Sequence, residues 1–326
     1  MLKTFRAIGA VALLLVVNCA SVYAPSQPPH QLYNEDDLKL ESGEVIKNFS
    51  ISYVTHGTLN AKKSNAILMV TERQSSSSRL HDRTRQGARP GQIFHHRDRC
   101  HCQRAAQQFD RAAAHVIPKV TIRDLVESRY RLLEEKFGID QSSRSSVPRW
   151  AACRCRKWGV SHPDMMDSLI AMVPLAKTPV WAVAVLETTV KAIMIDPAWN
   201  GGNYTSVPEK GVRLWLDILN LLAARTADQT QFKGGMHVLP WMAQQEDAMM
   251  KAFDANNWIY QTWAYEKHDI GTTPGFDGNT AKALGSIKAK TLILIGTKDL
   301  LNPEFEPQAA ARSIPNVRVV TISPGS

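Results

Sequence analysis

Several residue classes are missing from this chain in places where a folded protein of its size would carry them. Lysine is absent between Glu72 and His115, a stretch with nine arginines and only four acids. Acids are absent between Gln141 and Lys157, which holds four arginines and a lysine. Each stretch contributes a net +5 to a total of +9, so the remainder of the chain carries −1. A basic protein of this charge ordinarily suggests an anionic polymer as partner. Charge confined to two islands, with no basic face elsewhere, argues for no nucleic-acid partner. No internal repeat is present, which sets aside solenoids and propellers.

Cysteine is also scarce. Cys19 falls in the N-terminal segment, leaving Cys100, Cys102, Cys153 and Cys155 as two C-x-C pairs, one of them close to His95, His96 and His101. Neither pair has the two-to-four-residue spacing of structural zinc, and both lie inside the basic islands, so no metal is expected. No apolar run is long enough to span a bilayer comfortably. Ile8–Val17 follows Lys3 and Arg6 and precedes Val22-Tyr23-Ala24, the pattern of a secretory signal over residues 1–24 with cleavage before Pro25. Export to a periplasm or the outside is the expectation, without stable membrane insertion once the signal is removed.

What is present alternates strand with helix. Phe49–Thr55 alternates apolar and polar residues; Ala66–Thr71, Ser168–Pro174, Lys290–Gly296 and Val317–Ile322 read as strands of a buried parallel sheet. Thr121 can cap a helix whose apolar residues Ile122, Leu125, Val126, Tyr130 and Leu133 recur at helical spacing up to Gly138. Val180–Ile195, Gly211–Ala224, Met242–Phe253, Asn257–Lys267 and Phe305–Ile314 read as further helices. The expected fold class is α/β, with a mostly parallel central sheet and a helical cap inserted in it. The expected division is core over 25–178, cap over 179–285 and core again over 286–326.

The islands interrupt this pattern, and codon degeneracy offers a reason. Arg83 to Arg104 can be encoded so that translation one base later reads G-P-G-K-A-L-D-P-A-K-Y-F-I-I-V-T-D-A-I-A-N-G, which contains a buried strand and a glycine turn. The in-frame text from 72 to 115 has neither. Arg144 to Arg154 can be encoded so that translation two bases later reads V-V-G-A-S-M-G-G-M-Q. That is an apolar strand running into G-x-S-x-G, the sharp turn that presents a nucleophilic serine in α/β-hydrolases. The serine falls at position 149, where this chain carries Arg149.

The intact segments resemble the homoserine O-acetyltransferase family of α/β-hydrolases. The resemblance is carried by Ile51-Ser-Tyr-Val-Thr-His-Gly-Thr-Leu-Asn60, Pro118-Lys-Val-Thr-Ile-Arg-Asp124 and Trp158-Gly-Val-Ser-His-Pro-Asp164. Asp196-Pro-Ala-Trp-Asn-Gly-Gly-Asn-Tyr204 and Phe253-Asp-Ala-Asn-Asn-Trp-Ile-Tyr260 extend it. It implies acyl transfer through a serine ester, with acetyl-CoA as acyl donor rather than a bound cofactor, a small-molecule acyl substrate, and a homodimer. It also implies that Asp299 in Gly296-Thr-Lys-Asp-Leu-Leu-Asn-Pro303 is the triad acid, and that Arg149 stands at the nucleophile position without its function. The triad histidine should follow Val317–Ile322, but no histidine follows His268, so the sequence reads as defective and C-terminally truncated.

Alternatives remain at this stage. An exported relative of the same scaffold could hydrolyse an ester or amide, since acetyl-CoA is cytoplasmic; a non-catalytic basic binding protein is the other class. His162 and the neighbouring pair His268 and Asp269 read mainly as structural. His237 lies in an exposed-looking stretch with no nucleophile beside it. Trp258, Trp263 and Tyr265 suit either a substrate pocket or the packing of the cap.

Overall fold

The computed structural model describes residues 31–70, 92–100, 118–140, 145–148, 152–226, 238–250, 253–297 and 299–322. The leader, most of the first island, Arg149 and His237 lie outside them. The described strands are β1 (Gln31–Lys39), β2 (Val45–His56), β3 (Ala66–Val70), β4 (Gln92–Cys100), β5 (Ser145–Pro148), β6 (Met166–Met172), β7 (Lys290–Gly296) and β8 (Val317–Ile322). They form one sheet in the order β1-β2-β4-β3-β5-β6-β7-β8. β2 is antiparallel to both β1 and β4; every other pairing is parallel.

The parallel strands explain their own sequences. A sheet covered by helices buries both faces, so its strands are nearly continuous apolar runs. Leu169 and Ala171 of β6 and Ile293 and Ile295 of β7 are fully enclosed. Trp158, Met165, Leu284, Ile287 and Ile314 join them in the main core.

Two strands differ from the sequence expectation. β1 was not anticipated, because Gln-Leu-Tyr-Asn-Glu-Asp-Asp-Leu-Lys is mostly polar; it is an edge strand whose exposed residues face water. β4 runs through text with no strand pattern of its own. Its backbone pairs with β2 on one side and β3 on the other, for example Val54 with His95 and Leu68 with Phe94. Ladder hydrogen bonds come from the main chain, so the neighbours specify a strand here whatever the side chains are.

Helix α1 (Ile122–Arg131) begins at Thr121 with a reciprocal cap. Asp124 N–H donates to the Thr121 hydroxyl at 3.1 Å, and Thr121 N–H donates to the Asp124 carboxylate at 2.7 Å. A π-turn over Leu132–Lys136 carries the chain to Gly138, whose positive φ of 57° suits a residue without Cβ. Helix α2 (Ala152–Ser161) leaves β5 and lies against α1.

Between β6 and β7 the described elements are helical: α3 (Val180–Met194), α4 (Glu209–Thr226), α5 (Val238–Met250), α6 (Ala255–Glu266) and α7 (Thr280–Gly285). α3, α4 and α6 share an apolar cluster of their own around Leu186, Trp215, Phe253 and Trp258, apart from the main core. Helix α8 (Phe305–Ala311) connects β7 to β8.

Candidate active site

β5 and β7 both run parallel to β6, so their C-terminal ends open at the same edge of the sheet. In register, Pro148 of β5 lies beside Ile170 of β6, which lies beside Leu292 of β7. β5 ends at Pro148 and α2 starts at Ala152. A parallel strand followed closely by a helix is the order of elements around a nucleophile turn, and residues 149–151 between them lie outside the described residues. Asp299 comes three residues after β7 ends.

Asp299 is held in a defined loop. Its Oδ1 accepts from the N–H groups of Leu301 at 2.9 Å and Asn302 at 2.8 Å. The same loop is tied to the helical block from two directions. The Trp181 indole N–H at the start of α3 donates to the Leu300 carbonyl at 2.8 Å. The Tyr265 hydroxyl on α6 donates to Asn302 Oδ1 at 2.5 Å. Leu301 packs on the cluster around Trp215 and Trp258. These links join residues more than thirty positions apart, so no local sequence pattern could have announced them.

The other candidates fall into structural roles. His162 stacks on Tyr130 with ring centroids 4.1 Å apart and faces Glu127 at 3.5 Å, which pins α2 to α1. His268 is enclosed; its Nε2 lies 3.2 Å from the Leu175 carbonyl. Burial, reinforced by the cations of Lys157 and Arg156, pushes its pKa down to about 4. A neutral imidazole fixed in the core is no substitute for a base at the sheet edge. Trp258 is buried, stacked edge-on to Trp215 at 4.7 Å, and its N–H donates to Thr189; it belongs to packing. Trp263 lies under the Lys119 ammonium, 4.2 Å from its ring centroid.

The second island supplies a feature with no place in an ordinary core. Arg156 and Lys157 on α2 are 0% and 3% exposed, immediately before the buried Trp158. Lys157 Nζ donates to Thr273 Oγ1 at 2.9 Å and reaches the Asp269 carbonyl at 3.4 Å. Burial and the nearby Arg123 guanidinium push its pKa down to about 8. Enclosing a cation without a close carboxylate costs several kcal/mol even after relaxation.

Among the described residues no group of three or more His, Cys, Asp or Glu is arranged to hold a metal ion. No described helix is long and apolar enough to cross a membrane.

No family model matches the chain. Its sequence is 28% identical to a homoserine O-acetyltransferase of Chlorobaculum tepidum, covering 88% of this chain and 86% of that protein. It is 27% identical to one of Nostoc punctiforme, covering 86% of each chain. Among solved structures, the acetyl esterase MekB superposes with a TM-score of 0.78 at 24% identity, covering 93% of this chain and 91% of that one. A homoserine O-acetyltransferase from Bacillus anthracis superposes with a TM-score of 0.71 at 18% identity, covering 91% of each. The chain is thus similar to the homoserine O-acetyltransferases along most of its length, and its eight-stranded sheet has the α/β-hydrolase fold of the solved structures.

Proposed function

We propose that the scaffold is built for acyl transfer through a serine ester and that this polypeptide lacks the group that would form the ester. The supporting observation is the succession of parallel strand β5, ending at Pro148, and helix α2, starting at Ala152, with Arg149 next after Pro148 in the sequence. A serine there would need a histidine to take its proton and a carboxylate to orient that histidine. Asp299 is the acid on this reading, its loop fixed by Trp181 and Tyr265 while one carboxylate oxygen receives two backbone N–H groups. A guanidinium stays protonated and offers no nucleophilic lone pair at any ordinary pH. The turn would also have supplied a backbone N–H to the oxyanion, worth a few kcal/mol in the transition state.

In the lineage, acetyl-CoA donates an acetyl group to the hydroxyl of a small amino acid such as homoserine. A second reading is favoured by residues 1–24, which carry the pattern of an export signal. Outside the cytoplasm acetyl-CoA is absent, and water becomes the acceptor for an ester or amide substrate. On either reading residues 25–178 and 286–326 form the core, and 179–285 cover the site as a cap.

The test uses p-nitrophenyl acetate, with and without homoserine and CoA, on the chain as written and on a gene recoded with the displaced text in both islands and given the homoserine O-acetyltransferases' histidine-bearing segment after Ser326. The chain as written is expected to give background hydrolysis only, and the recoded protein to be labelled by a fluorophosphonate at position 149. Turnover by the chain as written that disappears in Asp299→Asn would overturn the proposal. A recoded enzyme that acylates homoserine is a transferase; one that only accelerates hydrolysis favours the exported reading.

A further inference from the structure

We infer that Tyr204 and Trp199 are positioning residues for the acid loop, acting on it through helix α6. Their role rests on Asp299 being the acid of the site, but the coupling is measured without turnover, so the two readings can fail separately. Asp196–Tyr204 and Phe253–Tyr260 both carry the family resemblance, and acyl transfer as described above gives neither a task. They are distant in sequence and meet at the start of α6. The Tyr204 hydroxyl donates to Asp254 Oδ1 at 2.8 Å and accepts from the N–H groups of Ala255 at 3.1 Å and Asn256 at 3.5 Å. Asp254 Oδ1 also accepts from Asn257 N–H at 3.1 Å. The first three N–H groups of α6, which a helix cannot satisfy from within, are thus met by these two side chains. Asn256 is held as well: its Oδ1 accepts from the Trp199 indole N–H at 3.0 Å, and its Nδ2 donates to the Gly202 carbonyl at 2.8 Å.

The turn that grips α6 has a firm seat. It is a 3₁₀ turn over Pro197–Gly202, kinked where Asn200 and Gly201 take φ of 46° and 62°. Asp196 at its start accepts from Ala198 N–H at 3.0 Å and from Gly211 N–H of α4 at 2.9 Å. A Cβ on Gly211 would lie 2.8 Å from the carbonyl oxygens of Ala192 and Ile193, so α4 begins directly against the backbone of α3. Burial, and after it the Asp254 carboxylate, push the Tyr204 phenol above the ordinary tyrosine range, so its hydroxyl keeps the proton it donates.

The other end of α6 supports the acid loop. The Tyr265 hydroxyl donates to Asn302 Oδ1, and Asn302 N–H donates to the same Asp299 oxygen as Leu301 N–H. The Thr178 hydroxyl at 2.5 Å and the His268 N–H at 3.0 Å tie this end through the Tyr265 carbonyl oxygen, a single point about which the helix can turn. Ala255, Trp258 and Ile259 are buried and press α6 onto the cluster around Trp215. Apolar burial is non-directional, whereas a hydrogen bond weakens steeply with angle. The clasp at Asp254 and Asn256 therefore sets the rotation of α6 about its axis, and the long Tyr265 side chain magnifies any error in it. Without the clasp α6 stays on the cluster, but the bond to Asn302 loosens.

The experiment is amide exchange by NMR on Tyr204→Phe and Trp199→Phe in the 326-residue chain, each alone and combined with Tyr265→Phe. Both substitutions remove hydrogen bonds and keep an aromatic ring against the apolar cluster. Each is expected to speed exchange at Leu301 and Asn302 several-fold and to leave Ile293 in β7 protected. In the Tyr265→Phe background neither should add to the acceleration at Leu301 and Asn302, although Asn256 and Asn257 still exchange faster. Such non-additivity marks residues that act through one shared bond. Acceleration confined to Ala255, Asn256 and Asn257 would make the clasp an ordinary helix cap and overturn the inference. Equal acceleration at Ile293, or full additivity with Tyr265→Phe, would overturn it too. The two substitutions act on different bonds, so either one that folds decides the matter.

Discussion

In the unfolded chain Lys157 keeps its proton up to the ordinary lysine range near 10.5, whereas burial and Arg123 bring it down to about 8 in the fold. Between these values the unfolded chain binds more protons, so stability rises with pH across that window. The expected outcome is a urea midpoint that increases from pH 8 to pH 10, by an amount bounded at about 3 kcal/mol, and that becomes flat in Lys157→Met. His268 works in the same direction at lower pH. Its folded value of about 4 lies below the ordinary 6.5, so its contribution is complete above 6.5 and is lost as pH falls through 4. A midpoint that falls steadily from pH 8 to pH 10 would contradict the enclosed lysine. The sequence alone marked Lys157 as the end of an acid-free stretch; that it is enclosed could be known only from the helix packing that turns positions 156 to 160 inward.

At the scale of elements, apolar runs and caps were legible because they act locally. Lys290–Gly296 and Val317–Ile322 are strands with the expected bounds, and Thr121 caps α1 as its position suggested. Thr121→Ala should cost about 1 kcal/mol, the usual value for a lost cap, seen as a lower urea midpoint at unchanged slope. β1 and β4 were not legible for different reasons. β1 is an edge strand with most of its side chains in water, so its apolar signal is weak. β4 is specified by partners on both sides, not by the arginines and histidines of its own text. The loop that holds Asp299 is a third case, since its residues were readable but its supports on α3 and α6 were not. Tyr265→Phe and Trp181→Phe should each speed amide exchange at Leu301 and Asn302 at least several-fold, leaving Ile293 in β7 protected. Equal acceleration at all three amides would mean that the substitutions loosen the fold as a whole and do not act on the acid loop.

For the whole molecule, the charge excess and the proposed loss of chemistry share one origin. Two stretches carry the positive excess, and on the proposed reading both hold displaced text for neutral strands and a serine turn. Nothing in the family's chemistry calls for arginine there, and enclosed cations work against a stability that for a domain is only about 5–15 kcal/mol. Retention on heparin that weakens with salt, or stoichiometric zinc, would instead make the islands functional; neither is expected. The most direct measurement is the nucleotide sequence of the gene across codons 72 to 157, determined from independent templates. Decoded one base later in the first island and two bases later in the second, it should yield Y-F-I-I-V-T-D and G-A-S-M-G without a stop codon. Stop codons or unrelated residues in those phases would contradict the account and give the arginine-rich islands a different origin.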